Sequence, residues 1–224
     1  MKTTQRVNKP RNIRFKKQQQ GFSLIELGLA LAVIALIAGG VAKGRELFKS
    51  AKIQNMASQL QNLETAISAF ESRYGALPGD LSTAVANLGA SNGDGDGRIS
   101  TATEAVGAFQ QLSLANLLNG NYNGATYTSG ICPAATCPSN PMGGRLEFLT
   151  SGSALGGNSF SALLSTGSQL SAKQLAEIDR KIDDGSANTG RFQALSSVDV
   201  ACLNGTQWNE VGTTSACIGV LLIN

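Results

Sequence analysis

The chain has 224 residues, of which 5 % are aromatic, 26 are glycine, four are cysteine and none is histidine. The lack of histidine excludes a Ser-His-Asp triad, a Cys-His pair and any His-ligated metal. Charge is unevenly spread: residues 1–21 hold seven basic residues (Lys2, Arg6, Lys9, Arg11, Arg14, Lys16, Lys17) and no acid, which leaves 11 basic against 15 acidic residues, a balance of −4, in the rest. Without that leader the chain is mildly acidic, which argues against nucleic acid as a partner. A local patch among Arg145, Lys173, Arg180, Lys181 and Arg191 would be the exception.

Residues 22–42 form an apolar run with one charge, Glu26. As a helix rising ~1.5 Å per residue it would span ~31 Å, enough for a hydrocarbon core of ~30 Å. The basic leader predicts a cytoplasmic N-terminus. Three readings compete. A secretory signal could end at Ala38-Gly39-Gly40, but the run is long and Glu26 is out of place in it. A plain signal anchor explains the length and leaves the carboxylate unexplained. Cleavage between Gly21 and Phe22 explains both. The new α-amine of Phe22 is a cation, and a neighbouring subunit's amine could neutralise Glu26 and set the register between subunits.

The run "GFSLIELGLALAVIALIAGG" closely resembles the N-terminus of type IV prepilins and type II secretion pseudopilins. The shared features are the basic leader, Gly at the cut, Phe first, Glu fifth and an unbroken apolar helix. The resemblance implies that a prepilin peptidase cuts after Gly21, that Phe22 becomes N-methylated, and that Glu26 serves assembly.

The helix is expected to continue. Ile53, Met56, Leu60, Leu63, Ile67, Phe70 and Tyr74 alternate in spacings of three and four, a single apolar stripe. A coiled coil or a helix laid on a sheet, the pilin arrangement, would both give this stripe. Gly75 and Pro78 mark its end. The expected divisions are a leader over 1–21, a membrane and assembly segment over 22–42, an amphipathic segment over 43–74 and a globular head over 75–224.

In the head, residues 75–100 are turn-rich. Residues 101–120 read as a helix with Thr101 and Glu104 as a capping box, and 120–145 as loop. Residues 145–149 read as a strand, and 158–164 as a strand or a helical turn. Residues 171–182 form a helix boxed by Ser171 and Gln174, and 190–195 and 217–224 read as strands. The class is α+β: a long N-terminal helix, then a head with a small antiparallel sheet. "FESRYGALPGDL", "NGDGDGRI", "AFQQLSLANLLNGNYNG" and "IDRKIDDGSANTGRF" also resemble segments of a subgroup of Gram-negative type IV pilin-like proteins.

Two constellations stand out. Asn92, Asp94 and Asp96 alternate, Gly97 follows, and Arg98 could add a backbone carbonyl, as in the first part of an EF-hand loop for calcium. The twelfth position is Thr103, and Glu104 comes one residue late. The rival reading is a plain Asn/Asp/Gly turn with Glu104 spent on the capping box. A further acidic group, Asp179, Asp183 and Asp184, closes the 171–182 helix, against the helix dipole; this misfit points to a turn or a shared ion, and the rival reading is a solvated face. The second constellation is Cys132, Cys137, Cys202 and Cys217. An oxidising compartment favours disulfides, three pairings are possible, and neighbour pairing is the simplest. The last loop resembles the disulfide-bounded surface region of type IV pilins, where Trp208 is either an exposed contact or local core.

The resulting expectation is a non-enzymatic structural subunit of a type IV pilus. It would start as a single-pass inner-membrane precursor of a Gram-negative bacterium and end in a surface fibre. Its partners would be other pilin subunits, the prepilin peptidase and the inner-membrane assembly platform. The alternatives are a type II secretion pseudopilin and a membrane-anchored calcium-binding or adhesive module.

Overall fold

A computed structural model describes residues 21–127, 132–150, 160–195, 200–212 and 214–223. The expected leader, apart from Gly21, lies outside them. The chain divides into two units, residues 1–46 and 47–224. Helix α1, Leu24–Tyr74, enters both.

In the first unit α1 begins just after Phe22 and carries Glu26 in its first turn, where a carboxylate suits the positive end of the helix dipole. Leu, Ala and Ile dominate this segment and favour helix, yet their side chains find no core. Leu24, Ile25, Leu29, Leu31, Ile34, Leu36 and Ile37 are all exposed. By length and composition α1 can cross a membrane.

In the second unit the predicted stripe becomes the spine of the core. Ile53, Met56, Leu60, Leu63, Ile67 and Phe70 are buried. They join Phe109, Leu112, Phe148, Leu164, Leu175, Phe192 and Leu221 in one cluster, so the stripe lies on helices and a sheet of its own head. Each such side chain contributes on the order of 1.5–3 kcal/mol by leaving water. The helix ends at Gly75, whose φ of 72° is left-handed and whose N–H bonds the Glu71 carbonyl at 2.8 Å. A side chain there would be strained.

The remaining helices are α2 (Ala84–Leu88), α3 (Ala102–Leu114) and α4 (Ala172–Ile182). Helix α2 falls within the stretch expected to be turn. It is five residues long, too short for periodicity to show. Both predicted capping boxes are present: Thr101 with Glu104 on α3, and Ser171 with Gln174 on α4.

The sheet orders β1 (Glu147–Leu149), β2 (Ala162–Ser165), β6 (Gly219–Ile223) and β3 (Phe192–Ala194), all antiparallel. Position follows composition. The inner strands β2 and β6 are apolar on both faces and buried at every residue, while β1 and β3 alternate. Leu164 pairs with Phe148 on one side and Leu221 on the other, and Leu221 pairs with Phe192. The ambiguous 158–164 segment is thus a strand from Ala162 onward. A two-stranded ribbon, β4 (Leu203–Asn204) with β5 (Gln207–Trp208), sits within the last cysteine loop.

Candidate functional site: an exposed apolar segment and an acidic loop

Gly21, Phe22 and Glu26 lie at the start of α1. Phe22 is 81 % exposed. Among the described residues Glu26 has no ion-pair partner, and its surroundings are Leu24, Ile25, Leu27 and Leu29, also exposed. A lone carboxylate in an apolar surface calls for a cation when that surface is covered.

The acidic loop is built around Asp80, which stands outside the Asn92–Arg98 pattern. Its side chain is buried and gathers three backbone N–H groups. Oδ1 accepts from Gly95 at 2.7 Å and Asp96 at 3.1 Å, and Oδ2 accepts from Gly97 at 2.9 Å. Gly93 lets the two segments meet, since a Cβ there would lie 2.4 Å from the Asp80 backbone. Burial raises the Asp80 carboxyl above its ordinary range. The Gly97 and Gly95 N–H groups oppose this, and the charges of Asp96 and Glu104 add to it.

The structure gathers Asp80, Asp94 and Asp96, each offering a carboxylate oxygen within 4.8 Å of the others. Asp94 Oδ1 accepts the Asp96 N–H at 3.0 Å, and Asp96 Oδ1 accepts the Arg98 N–H at 2.8 Å. Their other oxygens bond to no described residue. None of the three carboxylates has a Lys or Arg partner among the described residues. These acids could hold a metal ion.

The other residues of the predicted loop are engaged elsewhere. Asn92 Oδ1 accepts the Val85 N–H at 2.7 Å and fastens α2. Glu104 is buried. Its Oε1 accepts from Asp94 N–H at 3.1 Å, and Oε2 accepts from the N–H groups of Ser100 and Thr101 at 2.9 Å each and from the Ser100 hydroxyl at 3.2 Å. Burial alone would raise its carboxyl, but the backbone hydrogen bonds outweigh it and hold the carboxyl below its ordinary range. Gln111 steadies the same region, accepting from Gly79 N–H at 2.7 Å and donating to the Ser91 carbonyl at 3.0 Å.

Cys132 is bonded to Cys137, and Cys202 to Cys217. Trp208 is buried inside the second loop. Its Nε1–H donates to Asp179 Oδ2 at 2.7 Å. Asp179 Oδ1 accepts the Gly185 N–H at 3.0 Å. Asp183 accepts the N–H groups of Arg191 and Phe192, and Asp184 accepts from Ser186 N–H and the Thr189 hydroxyl. The acids that oppose the α4 dipole are therefore the scaffold of the turn after it. Spacing marked the cluster, but only the fold reveals that Asp179 faces inward.

Residues 16–42 match the family described as the prokaryotic N-terminal methylation motif. No curated protein and no solved structure matches the chain.

Proposed function

We propose that this chain, a type IV pilin-like protein, is a structural subunit of a type IV pilus, cleaved after Gly21 and N-methylated at Phe22. The observation that carries the reading is the methylation motif leading into a long apolar helix. On that helix Glu26 lies unpaired among exposed apolar side chains. Proteins with this motif are processed by prepilin peptidase and polymerise, and they do no chemistry. The exposed apolar half of α1 rests first in the inner membrane and then in a bundle of its own kind. Glu26 pairs with the Phe22 amine of a neighbour, removing two costly charges at once. The two disulfides favour a fibre at the surface of a Gram-negative cell over a short secretion pseudopilus.

Calcium is the cation that this reading assigns to the acidic loop. Asp80, Asp94 and Asp96 supply hard oxygen donors, and the Arg98 carbonyl lies in the same turn. Its role is to stiffen residues 80–104.

The experiment is mass spectrometry of fibres sheared from cells. A peptide beginning at methylated Phe22 in that fraction supports the pilus subunit. The same peptide confined to membranes moves the assignment to a pseudopilin, and an uncleaved chain moves it to a membrane-anchored module.

A further inference from the structure

Among the described residues Asp179 makes the one buried side-chain hydrogen bond between α4 and the hairpin β4–β5, beside the apolar packing of Trp208 in the same core as Leu175 and Ile178. It stands near the end of α4 and is fully buried. Its one side-chain partner, Trp208, belongs to the hairpin β4–β5 inside the Cys202–Cys217 ring. The indole is buried and packs near the Phe192 ring, with centroids 6.1 Å apart. Among the described residues, the other polar side-chain ties from the 202–217 loop to α4 and its following turn are at the surface. They are the exposed Arg180–Glu210 ion pair and a 3.4 Å bond from Gln207 to the Ser186 hydroxyl.

The charged groups around Asp179 do not neutralise it. Arg180 is turned to Glu210. Lys181 donates to Gln54, and Arg191 to Glu64. Glu177 lies on the same helix, and Asp183 and Asp184 face the carboxyl from the turn after it. An ionised Asp179 is thus a buried anion with two neutral N–H donors and two nearby like charges; among the described residues no cation bonds to it, and Arg180, paired with Glu210, acts on it only through space. Such a group is cheap to bury only when protonated. When it ionises, the least costly relief is to admit water by lifting the hairpin, which the disulfide still holds at its base.

We propose that Asp179 is a proton-controlled latch: neutral, it seals Trp208 and the Cys202–Cys217 loop onto α4, and ionised, it lets that loop lift. Burial, chiefly, pushes the Asp179 carboxyl up to about 6; the Trp208 and Gly185 hydrogen bonds pull the other way, and the neighbouring Asp184 and Asp183 charges add to the rise. The latch therefore works in a mildly acidic to neutral range. The loop carries Val211, which is almost fully exposed, so the surface it presents would change with acidity.

Trp208 is the only tryptophan of the chain, which makes it a direct reporter. The test is acrylamide quenching of its fluorescence in the full chain in detergent micelles, between about pH 4.5 and about pH 8. We expect the quenching constant to rise by about twofold or more with pH in the wild type. Asp179→Asn, which mimics the neutral acid, should stay low and flat. A flat wild-type profile overturns the latch, as does an Asn variant that keeps the wild-type profile. Should that variant fail to fold, hydrogen exchange of the wild type decides, after correction for intrinsic rates. Protection lost above about pH 6 in peptides of the 202–217 loop but not of α3 supports the latch, and uniform loss across both overturns it.

Discussion

The Glu104 carboxylate accepts the backbone N–H of Asp94 at 3.1 Å, so one side chain caps α3 and holds the acidic loop at the same time. Glu104→Gln keeps the size and loses the charge. It also turns an amide donor toward groups that themselves donate. We expect a loss of about 2–4 kcal/mol in urea unfolding of the full chain in detergent, followed by Trp208 fluorescence. The loss should be equal with calcium and with chelator. A loss seen only with calcium would make Glu104 a metal ligand. The sign with pH also follows. Its carboxyl is held below the ordinary 4.5, so this stabilisation is full above 4.5 and is lost as pH falls through the lowered value.

Asp94→Ala combined with Asp96→Ala should separate ion binding from turn formation. With calcium present the double variant should melt several degrees below the wild type, and in chelator the drop should shrink to the small cost of the two exposed turn hydrogen bonds, about 1–3 °C. An equal drop in both conditions would leave these acids as turn formers alone. Asp80→Asn should cost more without an ion, because Asp80 is buried and holds the Gly95, Asp96 and Gly97 N–H groups, whereas Asp94 and Asp96 each hold one at the surface. It should lower the melting temperature in either condition.

Glu26→Ala should leave cleavage and methylation intact and reduce assembled fibre. Immunoblots of sheared fibre against total membrane protein measure this, with intact mass reporting the processed N-terminus. Normal fibre yield would remove Glu26 from any role in subunit pairing.

The two disulfides should differ in weight. Cys202–Cys217 closes a span of 15 residues, and Cys132–Cys137 one of 5. On loop entropy alone, replacing the pairs by serine costs about 3 and about 2 kcal/mol respectively. The first replacement should also free the hairpin that carries Trp208, visible as a red shift in its emission. No shift would mean that the Asp179 bond and packing hold the indole unaided.

The elements visible in sequence are those whose signals are local. The stripe from Ile53 to Tyr74 repeats at helical period, and the Thr101–Glu104 and Ser171–Gln174 boxes sit three residues apart, so their helices were legible. β6 was legible as an uninterrupted apolar run. The five-residue α2 was not, because it spans barely more than one turn. The acidic loop was legible in part. Asp94 and Asp96 stand in an alternating pattern, whereas Asp80 reaches them from fourteen or more residues away in an ordinary-looking Pro-Gly-Asp turn. Asn92 fits the pattern in sequence, but its side chain is spent on the Val85 N–H. Burial of Trp208 and Asp179 depends on how α4 and β5 meet, and spacing along the chain does not encode that.

The placement of β6 governs the order in which the head can form. β2 and β3 both precede it in the chain, yet neither pairs with the other, because both bond to β6. Until β6 is available, β1 and β2 can form only a short hairpin, and β3 has no strand to bond. Its N–H groups then bond to water, and apolar faces of β2 and β3 lie open. The head closes only after residues 219–223 have emerged, and it does so through pairings that span more than fifty residues between Ser165 and Val220. A chaperone that shields exposed strands would act in that interval.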